Sequence, residues 1–335
     1  MQSSRQAVEG ALLGLIVGYV IVLLLAVAAT RDPVAVVTKA YYTLTSPRSL
    51  EYLVSLWGPV GLAALGLTLC YRAGFITIAV EGQILAGMLV SLWLLAYVVP
   101  EADPVLGIAL ALAISALVGV LLGAVPVVLR VYFNANEILV TLMMNLAIVF
   151  MVAEIVSSYL RVGAFVITKP VPEHFRLSWV WAPIFLAIAL VIVWFIESRT
   201  SLGLAAKVYG SSRRTAVTYG VSELALFFKL SALSGALAGI GGALAMLVFQ
   251  YFLGAKPPVG FGYSGVLAAW LSGFSPPVAV ASSLLLSYMR VWAYAMMAEG
   301  VHEGFVLGSQ TIVVVFSLVG AYAARYLRRE VAGVA

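Results

Sequence analysis

Cysteine and charge are both scarce in this 335-residue sequence, which has one cysteine and only 10% charged residues. Since Cys70 stands alone, an internal disulfide and a cysteine-based metal site are both excluded. Soluble domains carry about a quarter charged residues, so this composition indicates an integral membrane protein. The basic residues never cluster with interleaved aromatic residues, which argues against binding to nucleic acid.

Sequence motifs of ATP-binding and hydrolytic sites are also missing. No G-x-x-x-x-G-K-[ST] occurs, so the chain does not bind ATP through a P-loop. Neither H-E-x-x-H nor G-x-S-x-G occurs, so intramembrane hydrolysis has no sequence support. The two histidines, His174 and His302, are loop residues far apart in sequence and make no metal-site pattern. We therefore expect no catalytic residues, no metal and no cofactor.

Apolar residues make up 63% of the chain. They run on for about 20 residues at a time, as membrane-spanning helices require, rather than alternating over about 10 as in a β-barrel. The sequence therefore predicts an all-α polytopic membrane protein, one transmembrane domain over residues 1–335 with about ten helices. The spans lie near residues 10–29, 52–70, 75–97, 105–129, 137–159, 181–196, 224–250, 261–274, 277–297 and 306–324.

Two of these spans differ from ordinary membrane-spanning helices. The first resembles a signal peptide, but its apolar core exceeds the usual length of about 7–15 residues, so we expect a retained anchor helix. The eighth is short and contains Gly262, Gly265 and Gly273, so we expect it to be broken or re-entrant.

Lysine and arginine in the loops predict the orientation. With both termini in the cytoplasm, the basic stretch 325–330 falls inside and the acidic loop 101–103 falls outside, as the positive-inside rule expects. Two long segments, residues 31–51 and 161–178, then lie outside, where an external partner can meet them. The sequence thus predicts a multi-pass protein of the cell membrane, surrounded by lipid.

Residues 197–223 form the one sizeable stretch on the cytoplasmic side. Apolar residues recur through it, and Ser211 and Ser212 can cap a second short helix, so we expect a short helical hairpin. Basic residues in such a stretch are common in solvated, positive-inside loops. The glycine punctuation and the exposed Tyr and Val residues favour a docking surface instead.

The sequence contains a weak internal repeat. Gly74-Phe75 opens the third span and Gly260-Phe261 opens the eighth, and in each case another glycine follows thirteen residues after the first. Under the orientation above, one copy enters the membrane from the cytoplasm and the other from outside. Inverted repeats with glycine-interrupted segments point to a substrate site between them.

Glu81 is an ionisable residue inside a predicted span. It lies nine residues past Arg72, roughly 13 Å along a regular helix. On such a helix Glu81 shares a face with Thr77, while Gln83 is turned about 200° away. Glu81 then either lines a polar pathway, the default for an intramembrane carboxylate, or pairs with neighbouring groups and fixes helix packing. The residues leave both interpretations open.

The fifth span carries a polar stripe. Glu137, Thr141 and Asn145 recur every four residues from its cytoplasmic end inward. Such a stripe lines a path or joins helices through hydrogen bonds. We favour the second role for Thr141 and the first for Asn145.

Several stretches resemble one family of membrane proteins. AGFITIAVEGQILAG, residues 73–87, resembles the FNIGxEGQ signature of permease subunits in bacterial and archaeal ABC importers for nucleosides and simple sugars. NEILVTLMMNLA, residues 136–147, resembles the family's NEVIxTIMLNxIA stretch. GLAAKVYGSSRRTAVTYGVS is similar to the family's loop that docks on the ATPase. Later matches cover residues 231–244 and 260–277.

The sequence differs from the family motifs at several positions. Thr77 stands where the family usually has Asn, and Ala79 replaces Gly, so the supposed pathway is altered. Lys207 takes the place of Arg in the docking loop, a change that is compatible with a co-adapted partner.

The resemblance implies a permease that pairs with a second permease subunit, as a homo- or heterodimer. It also implies ABC ATPase subunits in the cytoplasm and a solute-binding protein outside. We expect the substrate pathway at Glu81, Thr77, Gln83, Thr141 and Asn145. Coupling to the ATPase is expected at Lys207, Gly210, Arg213, Arg214, Ala216, Tyr219 and Gly220.

Two other functions stay open on the sequence. A secondary transporter would use Glu81 as a proton or ion relay, which the inverted repeat favours. A membrane scaffold or assembly factor would use residues 197–223 only as an interaction surface.

Overall fold

The computed structural model describes residues 2–163 and 166–333, and the surroundings of side chains within 10–163 and 166–324. These residues are helical, with isolated β-bridges as the only strand-like pairing. The prediction of an all-α protein is therefore confirmed. The helices are α1 (Gln2–Thr30), α2 (Pro33–Thr45), α3 (Pro47–Arg72), α4 (Val80–Trp93), α5 (Pro104–Phe133), α6 (Glu137–Ile155), α7 (Trp181–Arg199), α8 (Ser201–Ser211), α9 (Arg213–Thr218), α10 (Glu223–Ala245), α11 (Phe261–Leu271), α12 (Pro276–Met297) and α13 (Phe305–Gly333).

Three helices change their winding at the end. α4, α6 and α10 continue into π-helical turns at Leu94–Val98, Val156–Leu160 and Met246–Gln250. With these turns, nine helical stretches among the described residues are long and apolar enough to cross a membrane. They are α1, α3, α4, α5, α6, α7, α10, α12 and α13.

The tenth predicted span is α11, which has only 11 residues. At the helical rise this is about 16 Å, roughly half of a hydrocarbon core of about 30 Å. Nine candidate spans and one half-length helix among the described residues agree with the prediction of about ten helices, some of them broken or re-entrant. The expectation that this segment is broken or re-entrant agrees with its length.

Two expectations are corrected. The third span does not begin at Phe75, because residues 75–78 are not helical and α4 starts at Val80. The segment 31–51, predicted to be a long loop outside the membrane, is not a loop, because it contains α2 and the start of α3. The carboxylate of Asp32 caps α2 by accepting from the backbone N–H groups of Val34 and Ala35, at 2.9 and 3.0 Å.

The chain divides into two compact units. The first combines the residues up to Leu53 with those from Leu285 onward. Within it α1 packs against α13 through glycines: a Cβ on Gly14 would overlap the backbone carbonyl of Phe316, and one on Gly10 that of Gly320. Small residues at these positions let the two helix backbones approach closely.

The second unit, Val54–Leu284, contains α4, α5, α10 and α11. α5 and α10 cross at glycines, since a Cβ on Gly119 would overlap the carbonyl oxygen of Gly235. A Cβ on Gly239 would likewise overlap the carbonyl oxygen of Ser115. Close backbone contact at this crossing forms the core against which the start of α4 is held.

Candidate functional site

The chain between α3 and α4 is not helical. Gly74 has φ +75°, a left-handed conformation that glycine adopts without steric cost. Residues 75–78, which are not helical, follow, and β-branched Ile76, Thr77 and Ile78 have a lowered helix propensity. The result is an unwound segment, residues 73–79, that enters the N-terminus of α4 from the end of α3.

Glu81 lies in the first turn of α4 and is 1% exposed. Its carboxylate accepts hydrogen bonds from the backbone N–H groups of Gly260 at 2.5 Å, Gly262 at 2.7 Å and Tyr263 at 3.0 Å. These groups open α11, where the N–H groups of a helix have no partner within the helix. The negative charge of Glu81 also meets the positive end of the α11 dipole. Glu81 therefore caps the half-length helix.

The close approach of Glu81 to α11 depends on two glycines. Gly260 has φ +106°, which only glycine adopts readily. A Cβ on Gly262 would overlap the backbone nitrogen of Glu81, so a side chain there would push the helices apart. The two copies of the predicted repeat thus touch at the starts of α4 and α11.

The copies differ in backbone. Helix begins six residues after Gly74 but directly after Gly260, although both glycines have positive φ. The two copies match in the spacing of their residues along the sequence. An inverted relation between them stays a prediction.

Thr77 does not share a helix face with Glu81, because it precedes α4. Its hydroxyl accepts from the backbone N–H of Ala79 at 3.2 Å, and its carbonyl accepts from the Tyr71 hydroxyl at 2.8 Å. Thr77 is 2% exposed. It therefore shapes the unwound segment rather than pairing with Glu81, and the predicted shared face is wrong.

Asn145 and Thr141 on α6 hold the same segment. The amide of Asn145 donates to the carbonyl of Ile78 at 2.8 Å, and its oxygen accepts from the N–H of Gly82 at 3.0 Å. The Thr141 hydroxyl accepts from the N–H of Ile78 at 3.1 Å. Both side chains are fully buried. They replace the backbone partners that Ile78 and Gly82 lack where the helix has not yet formed.

Gln83 points to a different place, the crossing of α5 and α10. Its amide nitrogen donates to the carbonyl of Gly119 at 3.2 Å, and a Cβ on Gly235 would stand 3.0 Å from that nitrogen. Its side-chain oxygen is buried and has no hydrogen-bond partner among the described residues. The five predicted pathway residues thus all lie at or next to the start of α4. Gln83 lies on the side of α5 and α10, and the other four lie at the unwound segment or at the start of α11.

Farther along α4 lies a cavity of about 230 Å³ with apolar walls. Leu89, Val90 and Trp93 line it from α4, and Ile155 and Leu160 line it from the end of α6 and its π-helical turn. This cavity does not include any of the predicted pathway residues.

The predicted coupling segment forms the expected pair of short helices, α8 and α9. Thr200 caps α8 by accepting from Gly203, and Ser212 caps α9 by accepting from Thr215. Gly210 lies against the end of α3, where a Cβ would overlap the carbonyl oxygen of Arg72. Ala216 is fully buried, so it supports the hairpin from inside.

Large apolar side chains of this segment are exposed. Leu204 is 62% exposed, Val217 55% and Tyr219 81%. Gly220 is also exposed and ends α9 with φ +79°. We call Leu204, Val217 and Tyr219 the α8–α9 surface.

Ion pairs hold the base of the hairpin. Lys207 lies 3.3 Å from the carboxylate of Glu197, and Arg213 lies 2.6 Å from that of Glu223. Glu223 raises the pKa of the Arg213 guanidinium further. Arg214 is exposed and makes no ion pair among the described residues.

Tyr209 joins the hairpin to the unwound segment. Its ring contacts that of Phe227, which stacks on Phe75 at 5.0 Å between ring centroids. Burial, together with the neighbouring carboxylate of Glu223, raises the pKa of the Tyr209 phenol to about 12. The phenol is therefore neutral at physiological pH.

Sequence reasoning missed Arg72, Tyr71, Glu197 and Arg130 as site residues. Arg72 pairs with Glu197 and donates to the carbonyl of Phe274 at 2.6 Å. Arg130 pairs with Glu137 and Glu223, and its guanidinium lies over the ring of Phe227. In the sequence, a charged residue at the end of a span indicates only the orientation of the chain. The ion pairs seen in the structure distinguish Arg72, Glu197 and Arg130 from other charged residues at span ends.

The described residues contain nine helices long and apolar enough to cross a membrane, as in a multi-pass membrane protein. An unwound helix start and a half-length helix held by a buried carboxylate are features typical of transporters. Residues 49–319 match the family described as the branched-chain amino acid transport system / permease component. The match covers most of the chain, so the protein belongs to this permease family. The family resemblance expected from residues 73–87 and 136–147 is confirmed.

Curated relatives extend over similar lengths. A nucleoside ABC transporter permease protein of Lactococcus lactis is 28% identical over 276 residues, 77% of this chain and 76% of its own. A guanosine ABC transporter permease protein of Bacillus subtilis is 26% identical over 80% of each chain. A glucose ABC transporter permease protein of Haloferax volcanii is 26% identical over 90% of this chain and 84% of its own. No solved structure matches the chain significantly.

Proposed function

We propose that this permease imports nucleosides or simple sugars with energy from a separate ABC ATPase. The names of relatives that match over three-quarters of the chain or more support this class of solute. The partners are ATPase subunits in the cytoplasm, a second permease subunit and a solute-binding protein outside. Both termini lie in the cytoplasm.

The α8–α9 surface is the observation that supports an ATP-driven mechanism most directly. It exposes large apolar side chains on a segment outside the spans, and exposed apolar patches mark sites of protein interaction. Its base is fixed to span ends by Lys207–Glu197 and Arg213–Glu223. A partner that moves this surface therefore acts on the spans directly.

The role of Glu81 separates this proposal from a secondary transporter. A proton relay must release and take up its proton during each cycle. The carboxylate of Glu81 is instead held in place by three backbone N–H groups at 2.5–3.0 Å at the start of α11. Glu81 thus serves as a fixed structural group that shapes the pathway, and ATP supplies the energy.

The pathway passes the unwound segment 73–79. Thr77, Thr141 and Asn145 hold its backbone, and Gln83 holds the neighbouring crossing of α5 and α10. These side chains act on the solute through the shape of the segment, which changes when α11 moves. A second permease subunit completes the wall.

Uptake into proteoliposomes tests the proposal. The permease is reconstituted with the ATPase subunits and binding protein of its source organism, and uptake of labelled guanosine and glucose is measured. We expect uptake of one of them with ATP inside, and none with a proton gradient alone. Uptake driven by the proton gradient without ATPase subunits would contradict the ATP-driven mechanism.

The α8–α9 surface is tested by copurification with the ATPase subunits. Val217→Glu places a charge among its exposed apolar side chains, so we expect recovery of the ATPase to fall at least tenfold. Val217→Thr keeps nearly the same volume and serves as the control, with recovery within about twofold. Equal recovery with both variants would place the contact elsewhere.

A further inference from the structure

The half-length helix α11 is held at both ends. At its start, three backbone N–H groups bind the carboxylate of Glu81. Just beyond its end, the carbonyl of Phe274 accepts a hydrogen bond from Arg72 at 2.6 Å. Because α11 does not cross the membrane, it can move without displacing a whole membrane-spanning helix. The contacts at its two ends therefore control its position.

The end of α11 turns in an unusual conformation. Gly273 has φ +58° and Phe274 has φ +67°, in the left-handed region that residues other than glycine avoid. A bulky residue persists there only where its surroundings hold it. The ring of Phe274 packs against Tyr71 and Trp270, with centroids 5.7 and 5.2 Å away. The turn thus presents its carbonyl to Arg72.

Arg72 joins this turn to the cytoplasmic hairpin. One guanidinium nitrogen donates to Phe274 and another pairs with the carboxylate of Glu197, at the end of α7. Glu197 also binds Lys207 of α8, through its carboxylate at 3.3 Å and its carbonyl at 3.4 Å. Gly210 of α8 lies directly on the carbonyl oxygen of Arg72. Arg72 is therefore in contact with α8, α7 and the end of α11 at once.

The neighbouring residue extends the connection to the unwound segment. The Tyr71 hydroxyl donates to the carbonyl of Thr77 at 2.8 Å, while its ring lies on Trp270 of α11 at 5.5 Å. The last turn of α3 thus contacts both elements that meet at Glu81.

We propose that Arg72 is a positioning residue that transmits movement of α8 to α11, so that the half-length helix opens and closes the pathway as the ATPase cycles. This inference rests on the proposed function. Glu197 is the second member of the connection, because it binds Arg72 and Lys207 together.

Transport per ATP tests the role of Arg72. The reconstituted complex carries Arg72→Gln, and ATP hydrolysis and uptake of guanosine or glucose are measured together. We expect hydrolysis within about threefold of the unaltered complex and uptake per ATP reduced at least tenfold. Glu197→Gln, which leaves the Phe274 bond in place, reduces the ratio less. Arg72→Lys keeps the charge but has one nitrogen for two partners, so it restores the ratio only in part.

Arg199→Gln is the matched control. Arg199 is an exposed arginine two residues from Glu197, with no ion pair among the described residues. We therefore expect uptake per ATP by the Arg199→Gln complex to stay within about twofold of that of the unaltered complex. An unchanged ratio with Arg72→Gln would overturn the proposal. So would a proportional loss of hydrolysis and uptake, or failure of all three Arg72 and Glu197 variants to assemble, because these outcomes describe a structural role.

A second measurement does not depend on the solute. With Ser275→Cys beside the α11 turn, the rate of labelling by a maleimide is compared with and without ATP and vanadate. We expect a change of at least threefold in the unaltered complex that Arg72→Gln abolishes, whereas an equal change in both would overturn the proposal. If neither guanosine nor glucose is imported, the solute class fails while this comparison still tests Arg72.

Discussion

Glu81 is a buried carboxylate that accepts hydrogen bonds from backbone groups at the start of another helix. An unpaired carboxylate in the membrane interior is costly, and so are the open N–H groups at the start of a helix that begins there. In this protein each satisfies the other, since Glu81 accepts from Gly260, Gly262 and Tyr263. The carboxylate is thus required by the half-length helix α11, whatever the solute.

Replacing this carboxylate tests the cap. Glu81→Gln keeps the size but presents an NH₂ group to backbone donors, so at least one N–H is left without an acceptor. Hydrogen bonds to charged groups contribute about 1.5–3 kcal/mol each, and we expect a stability loss on the order of 3 kcal/mol. Thermal unfolding of the purified protein in detergent measures it.

Glu154→Gln is the control for this loss. Glu154 is exposed on α6, and its carboxylate accepts from the Ser158 hydroxyl at 2.5 Å. Its replacement is expected to change stability by less than about 1 kcal/mol, as for exposed sites generally. Equal effects of the two variants would show that the cap contributes nothing to stability.

At the scale of helices, the crossing of α5 and α10 depends on the absence of side chains. Gly119 and Gly235 face each other with no room for a methyl group between their backbones. The amide of Gln83 occupies the same crossing and donates to Gly119. The crossing therefore fixes where α4 begins.

Gly119→Ala is expected to separate these helices. The added Cβ overlaps the carbonyl of Gly235, so both backbones must shift, and overpacking of this kind costs about 1–3 kcal/mol. Gly308→Ala on α13 is the matched control, because its Cβ would meet open space. We expect Gly308→Ala to leave the unfolding temperature unchanged or higher, and a similar loss for both variants would disprove the steric argument.

The start of α4, after the unwound segment 73–79, could not be predicted correctly from the sequence pattern. Apart from Thr77, residues 75–79 are apolar and continue without a break into α4, so hydropathy alone extends the helix back to Phe75. The non-helical backbone is held at Ile78 by Thr141 and Asn145, which lie more than 60 residues away in the chain. Three consecutive β-branched residues, Ile76 to Ile78, were the only local signal.

At the scale of the whole molecule, orientation is a prediction from the distribution of basic residues. Cysteine labelling tests it, because Cys70 is buried and is the only native cysteine. In intact cells an impermeant maleimide is expected to label Glu101→Cys, and to label Arg214→Cys only after the membrane is opened. Both positions are exposed and lie outside the spans. Labelling of Arg214→Cys in intact cells would reverse the orientation.

The site was only partly predictable. Glu81, Thr141 and Asn145 stood out in the sequence because polar side chains inside apolar runs are rare, and their role in a pathway stays a prediction. Their partners were not predictable, since each binds backbone groups of segments that hydropathy assigns to separate spans. Arg72 and Glu197 were missed because a charge at the end of a span looks the same whether it is solvated or paired.

The membrane class, the approximate spans and the permease family all follow from the amino-acid sequence. They depend on properties of consecutive residues: apolar runs set by bilayer thickness, and short motifs along the chain. The cap that Glu81 places on the start of the half-length helix α11, and the bond from Arg72 to the residues after its end, became visible in the folded chain alone. The physical reason is distance along the chain: Glu81 and Gly260 are 179 residues apart, and no local pattern specifies which backbone donors a buried carboxylate will meet.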